Sequence, residues 1–117
     1  LWLVLPLCTL LEREVIVRIY LDDERTPPEG WILARSVPVL IHLLQTQKDV
    51  THLSLDHDLG DGEMTGYDFM RWLEAQVFNG VVKEIPEITF HSANPTGKRN
   101  MELALGSIQR RMNHERM

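Results

Sequence analysis

A chain of 117 residues carries 12 Lys and Arg against 17 Asp and Glu, a net charge of -5, with 44% hydrophobic and 25% charged residues. This is the make-up of one globular domain with a single core, and the acidic balance argues against a broad nucleic-acid-binding surface. The one cysteine, Cys8, has no partner for an internal disulfide, so a reducing cytoplasm is the expected home.

The chain opens with Leu1 to Leu11, apolar but for Pro6, Cys8 and Thr9. That run is too short for a membrane span and lacks the basic start and small-residue cleavage site of a secretory signal; no membrane association is expected. Residues 1–14 are set apart as an N-terminal extension, with an extra edge strand or an oligomer contact as alternatives, and 15–117 form the domain. Val15 to Leu21 is β-branched and apolar, the pattern of a buried central strand, and stops at Asp22. Glu24 to Gly30, with Pro27-Pro28, reads as a loop, and Trp31 to Ala34 as a short second strand. Ser36 caps a helix with Pro38 in its first turn and Val37, Leu40, Ile41 and Leu44 as its apolar stripe.

Thr51 to Leu55 reads as the third strand, ending at Asp56, and Leu59 to Met64 as a flexible loop. Thr65 caps a helix running to about Asn79, with Phe69, Met70, Leu73 and Val77 inward. Glu87 to Phe90 is the fourth strand, and Asn94-Pro95 starts the last helix, with Met101, Ala104, Leu105, Ile108 and Met112 inward. The pattern predicts a small α/β domain with a mainly parallel sheet. The short link between the first two strands strains that reading, because a parallel crossover normally takes a dozen or more residues.

The first, third and fourth strands each end in a polar cluster: Asp22-Asp23-Glu24-Arg25, Asp56-His57-Asp58 and His91-Ser92-Ala93-Asn94. In open α/β sheets the carboxyl edge of the strands is where ligands bind. Four aspartates gathered there repel one another unless a cation sits among them. Asp22, Asp23, Asp56 and Asp58 are therefore candidate ligands of Mg2+ or Mn2+, weighed against the plain turn-forming habit of Asp-Asp and Asp-Gly. His91 and His57 are candidate proton carriers. On an extended strand His57 points away from its flanking aspartates, which equally suits a structural role. Arg25, Ser92, Asn94 and Lys98 are candidate phosphate contacts, the last three at a helix start, where free amides and the dipole favour anions; an ordinary Asn-Pro cap accounts for Asn94 and Pro95 by itself. Trp31 and Trp72 read as core, and His42, His52 and His114 as incidental. Lys98, Arg99, Arg110, Arg111 and Arg116 read as a solvated helix face.

Taken together, Ile19 to Arg25 with Pro27-Pro28, Ser54 to Gly60, Thr65 to Asp68 and His91 to Pro95 resemble the cyclic-phosphate-processing receiver domain, a divergent branch of the response-regulator receivers. The resemblance implies a flavodoxin-like, three-layer domain with a four- or five-strand sheet and the first crossover helix reduced to a loop. It implies Asp22 and Asp23 as the acidic metal pair, Asp56 at the phosphorylated position and Asp58 at the position whose carbonyl completes the metal site. No strand bearing the receiver's lysine follows residue 95, and His57 and His91 are additions to the receiver pattern. The function expected is metal-dependent hydrolysis of a phosphoester, a cyclic phosphate or cyclic nucleotide in particular, carried on a small molecule or a nucleic-acid end. In a variant of that chemistry Asp56 is the nucleophile and forms an aspartyl-phosphate. The alternative is a non-catalytic, stand-alone receiver-like signalling module that binds metal and phosphate or is phosphorylated on Asp56.

Overall fold

The computed structural model describes residues 16–116, so the N-terminal extension expected over 1–14 lies outside the described residues. The elements are β1 (Val17–Leu21), β2 (Ile32–Ala34), α1 (Val37–Thr46), β3 (Val50–Leu55), α2 (Gly66–Phe78), β4 (Glu87–Phe90) and α3 (Pro95–Arg116). The four strands form one sheet in the order β2-β1-β3-β4, every neighbouring pair parallel. This is the expected small α/β domain with receiver-like topology. No fifth strand follows β4 among the described residues, because α3 occupies that stretch.

Strand alternation sorts the side chains onto two faces. Ile19 and Leu21 align with Leu53 and Leu55, and Leu53 with Ile88, so they share one face. Buried residues of all three helices join them there: Val37 and Leu40 from α1, Phe69, Met70 and Leu73 from α2, and Met101 and Ile108 from α3. Tyr20, Ser54 and Thr89 align on the other face; the second helical layer of a three-layer domain has no counterpart there among the described residues. Trp72 packs against the core, as expected, with its ring 5.8 Å from that of Phe69. Trp31 does not join the core: it is half-buried and edge-on to Tyr20 and His52.

The short link between β1 and β2 has a geometric explanation. β2 is three residues long and pairs only with the carboxyl half of β1, Ile19 with Ile32 and Leu21 with Ala34. The chain must therefore step back by only two residues of strand, roughly 7 Å, and a loop suffices where a full crossover would need a helix. Leu59, in the stretch read as a flexible loop, is instead buried at 4% exposure and anchors that loop in the core.

The helix starts are built from side chains that meet their otherwise unpaired amides. Ser36 Oγ accepts from Val39 N at 3.4 Å. Thr65 and Asp68 form a reciprocal capping box, with Thr65 N donating to Asp68 Oδ2 at 2.8 Å and Asp68 N to Thr65 Oγ1 at 3.2 Å. Asn94 Oδ1 accepts from Gly97 N at 3.0 Å. None of the described helices is long and apolar enough to cross a membrane.

Two glycines let helices α2 and α3 come close to the end of β3. A Cβ on Gly97 would run into the His57 ring, and one on Gly66 would meet the carbonyl oxygen of Asp56 and, at 2.8 Å, Met101 Sδ. Gly66→Ala is expected to destabilise the domain by about 1–3 kcal/mol, as overpacking does, seen as a lower denaturant midpoint with an unchanged slope. A midpoint equal to that of the wild type would mean that α2 can retreat from β3 without cost.

Candidate functional site

The carboxyl ends of β1, β3 and β4 lie side by side, because Leu21 aligns with Leu55 and Leu55 with Phe90. The residues that immediately follow these strand ends are Asp22, Asp56 and His91. The ladder continues through their backbones: Asp22 N donates to Ala34 O, Asp56 N to Leu21 O and His91 N to Leu55 O, each at 3.0–3.1 Å. Parallel register thus delivers one candidate side chain from each of β1, β3 and β4 to one edge.

Asp22 is the most buried of these groups, at 1% exposure. Its Oδ1 accepts from the N–H groups of Glu24 and Arg25, both at 2.9 Å, which folds the loop after β1 back over the carboxylate. Its Oδ2 lies 3.0 Å from His91 Nε2 and 3.8 Å from Arg25 Nε. Burial is the largest single influence on the Asp22 carboxyl and pushes its pKa up. The bonds from Arg25, Glu24 and His91 together outweigh it and hold the carboxyl below its ordinary value of 3.8.

His91 is locked on three sides. Ser54 Oγ sits 2.7 Å from Nδ1, Asp22 holds Nε2, and the ring lies flat on Tyr20, with centroids 4.1 Å apart and planes 6° from parallel. Asp56 Oδ1 accepts from His57 N at 2.8 Å. One ligand-capable atom from each of Asp22, Asp56 and His91 lies within 4.8 Å of the others, the one such group of three among the described residues. A cavity of about 310 Å³ opens beside them, lined by Asp22, Asp23, Glu24, Arg25, Asp56, Asp58, Gly60 and Ala93.

The remaining sequence candidates divide between the cavity and its supports. Asp23 and Asp58 line the cavity but stand outside the three-atom group. Asp58 also braces the loop: Oδ1 meets His57 Nδ1 at 2.9 Å and Oδ2 accepts from Asn94 Nδ2 at 3.2 Å. Those two bonds, His57 first, hold its carboxyl below the ordinary value. The His57 ring lies against Gly97 and does not line the cavity. Arg25 lines it with a half-exposed side chain and donates from Nη1 to His91 O at 3.0 Å. Ser92 Oγ accepts from Asn94 N at 3.0 Å in the turn before α3, and neither Ser92, Asn94 nor Lys98 lines the cavity.

Three contributors escaped the sequence reading. Ser54 and Tyr20 precede Asp56 and Asp22 by two residues, so period-two alternation puts them on the same face; a buried hydroxyl in an otherwise apolar strand end was the available signal. Arg35 follows β2 as Asp22 follows β1, and its Nη1 donates to Arg25 O at 3.0 Å and Asp22 O at 3.4 Å, pinning the loop.

Residues 17–107 match the model of one protein family, described as the cyclic-phosphate processing receiver domain. No individual curated protein and no solved structure matched the chain.

The lowered carboxyls set an acid limit. A group whose folded pKa lies below its unfolded value lends stability that is complete above the unfolded value and is lost as pH falls through the folded one. With chelator present, the thermal midpoint is therefore expected to drop below pH 3.8, the ordinary value from which Asp22 and Asp58 are displaced downward. Asp22→Asn should make that acid limb shallower; a limb of undiminished steepness would assign it to other groups.

Proposed function

Since the chain belongs to the cyclic-phosphate processing receiver family, we propose that it hydrolyses a phosphoester, with cyclic phosphates or cyclic nucleotides as the substrate class and Asp22, Asp56 and His91 as ligands of Mg2+ or Mn2+. The observation that carries this reading is the convergence of three donor atoms within 4.8 Å beside a cavity of about 310 Å³, room for a small phosphate-bearing molecule. The donor set suits a divalent cation: two carboxylates, one of them almost fully buried, and an imidazole. When bound, such an ion supplies positive charge for the phosphoryl oxygens and lowers the pKa of water.

The chain's own residues do the rest. Ring opening adds water across a P–O bond: the water oxygen bonds to phosphorus, the ester P–O bond breaks, and the proton finishes on the released hydroxyl. Arg25, half-exposed at the cavity wall, binds the phosphoryl oxygens with the N–H groups it does not spend on His91 O. Asp23, a cavity carboxylate outside the ligand group, takes the proton of the attacking water. His91 is poorly suited to carry that proton, since both ring nitrogens are engaged, by Ser54 and by Asp22. His57 is spent on Asp58 and packed on Gly97, so in this reading it is structural.

The purified protein, supplied with Mn2+ or Mg2+ and a panel of 2′,3′- and 3′,5′-cyclic nucleotides, is expected to open the ring of at least one. Asp56→Asn should lower the rate by at least about 100-fold, the scale on which metal sites respond to altered ligation. Binding of the ion with no turnover of any cyclic phosphate would sink the enzyme and leave a signalling module.

A further inference from the structure

Resting on the ligand group proposed above, we infer that the site is built for an ion that accepts an imidazole nitrogen, manganese in preference to magnesium, and that Ser54 is the positioning residue that makes His91 a ligand. Magnesium prefers an all-oxygen shell with several waters, whereas imidazole favours first-row transition ions, and manganese accepts carboxylates as well. Asp22 and Asp56 alone would not discriminate between the two ions. The nitrogen does.

Three contacts fix His91 for this role. Parallel stacking on Tyr20 sets the ring plane. The backbone of His91 is tied to Leu55 O and to the Arg25 guanidinium, so the ring cannot swing out with its strand end. Ser54, itself only 8% exposed, contacts Nδ1 at 2.7 Å and leaves Nε2 as the nitrogen facing Asp22.

A hydroxyl suits that position because it can either donate or accept. With no ion, Nε2 meets Asp22 Oδ2 at 3.0 Å and Nδ1 meets Ser54 Oγ at 2.7 Å, a contact that a hydroxyl satisfies with either tautomer. A ligating Nε2 must offer its lone pair, so the proton resides on Nδ1 and Ser54 accepts it. Alanine could do neither, and a carboxylate could only accept. Groups behind a metal-bound histidine commonly govern affinity by 10–100-fold.

The test is made on the whole chain, freed of metal by chelation, with Mn2+ and Mg2+ as probes. Pulsed electron paramagnetic resonance of the wild-type protein with Mn2+ should show coupling to an imidazole nitrogen. Calorimetric titration should give tighter binding of Mn2+ than of Mg2+, and Ser54→Ala should weaken Mn2+ by about 10-fold or more while leaving Mg2+ nearly unchanged. Bound Mn2+ with no nitrogen coupling would overturn the inference while sparing the carboxylate site, and this readout needs no variant to fold. Equal weakening of both ions by Ser54→Ala would likewise overturn it, as a general loss of structure. Failure of the wild-type protein to bind either ion would refute instead the metal-dependent function on which it rests.

Discussion

Asp22 is a carboxylate buried at the meeting point of the central strand, its loop and the fourth strand. Taking an ionised group out of water is costly unless its oxygens find donors, and here each oxygen has a separate set. Oδ1 holds the amides of Glu24 and Arg25; Oδ2 faces His91. Its backbone closes the ladder to β2 through Ala34 and receives Arg35. The loop that replaces a crossover helix, the short edge strand and the position of the imidazole all depend on this one side chain. Removing the charge would release three elements at once.

The site gathers acids without a matching number of bases. Asp22, Asp23, Glu24, Asp56 and Asp58 line one cavity, and Arg25 is the single basic residue lining it. Neighbouring carboxylates raise one another's pKa, yet Asp22 and Asp58 lie below their ordinary values, because hydrogen bonds favour their ionised forms. The fold thus spends polar contacts to keep charge concentrated at the sheet edge. That arrangement suits a site whose complement is a cation, and it separates two duties: Asp58, His57 and Asn94 hold the loops together, while Asp22, Asp56 and His91 face one another.

Much of this was legible in the sequence because strand ends are abrupt. An apolar, β-branched run that breaks into Asp or His places that residue at a carboxyl edge whatever the helices do, so the four strands and the positions of Asp22, Asp56 and His91 could be read directly. The caps Ser36, Thr65 and Asn94 were equally plain, each having a hydroxyl or amide just before an apolar periodicity. What could not be read was lateral. Which of Asp22 and Asp23 turns inward depends on where Glu24 and Arg25 place their amides. Whether His91 faces the site depends on Ser54 and Tyr20, respectively one and two strands away from it in the sheet. Trp31 looked like core by residue type, but its neighbours are on the face opposite the helices. Leu59 looked like loop by company, and only the packing of the 56–66 segment shows it buried.

The spacing of strand partners along the chain bears on the order of assembly. Ile19 meets Ile32 across about 13 residues, whereas Ile19 meets Leu53, and Leu53 meets Ile88, across about 34, and closing the longer loops costs roughly 0.9 kcal/mol more each by chain entropy. The pairing with the smallest entropic cost is therefore β1 with β2, which brings the Asp22 loop together with Arg35. His91 belongs to the last strand in the sequence and needs β3 in place before it can reach Ser54 and Asp22. On a nascent chain Asp22 and Asp56 are synthesised some 35 residues or more before His91, so the three groups meet only once nearly all of the described elements have emerged.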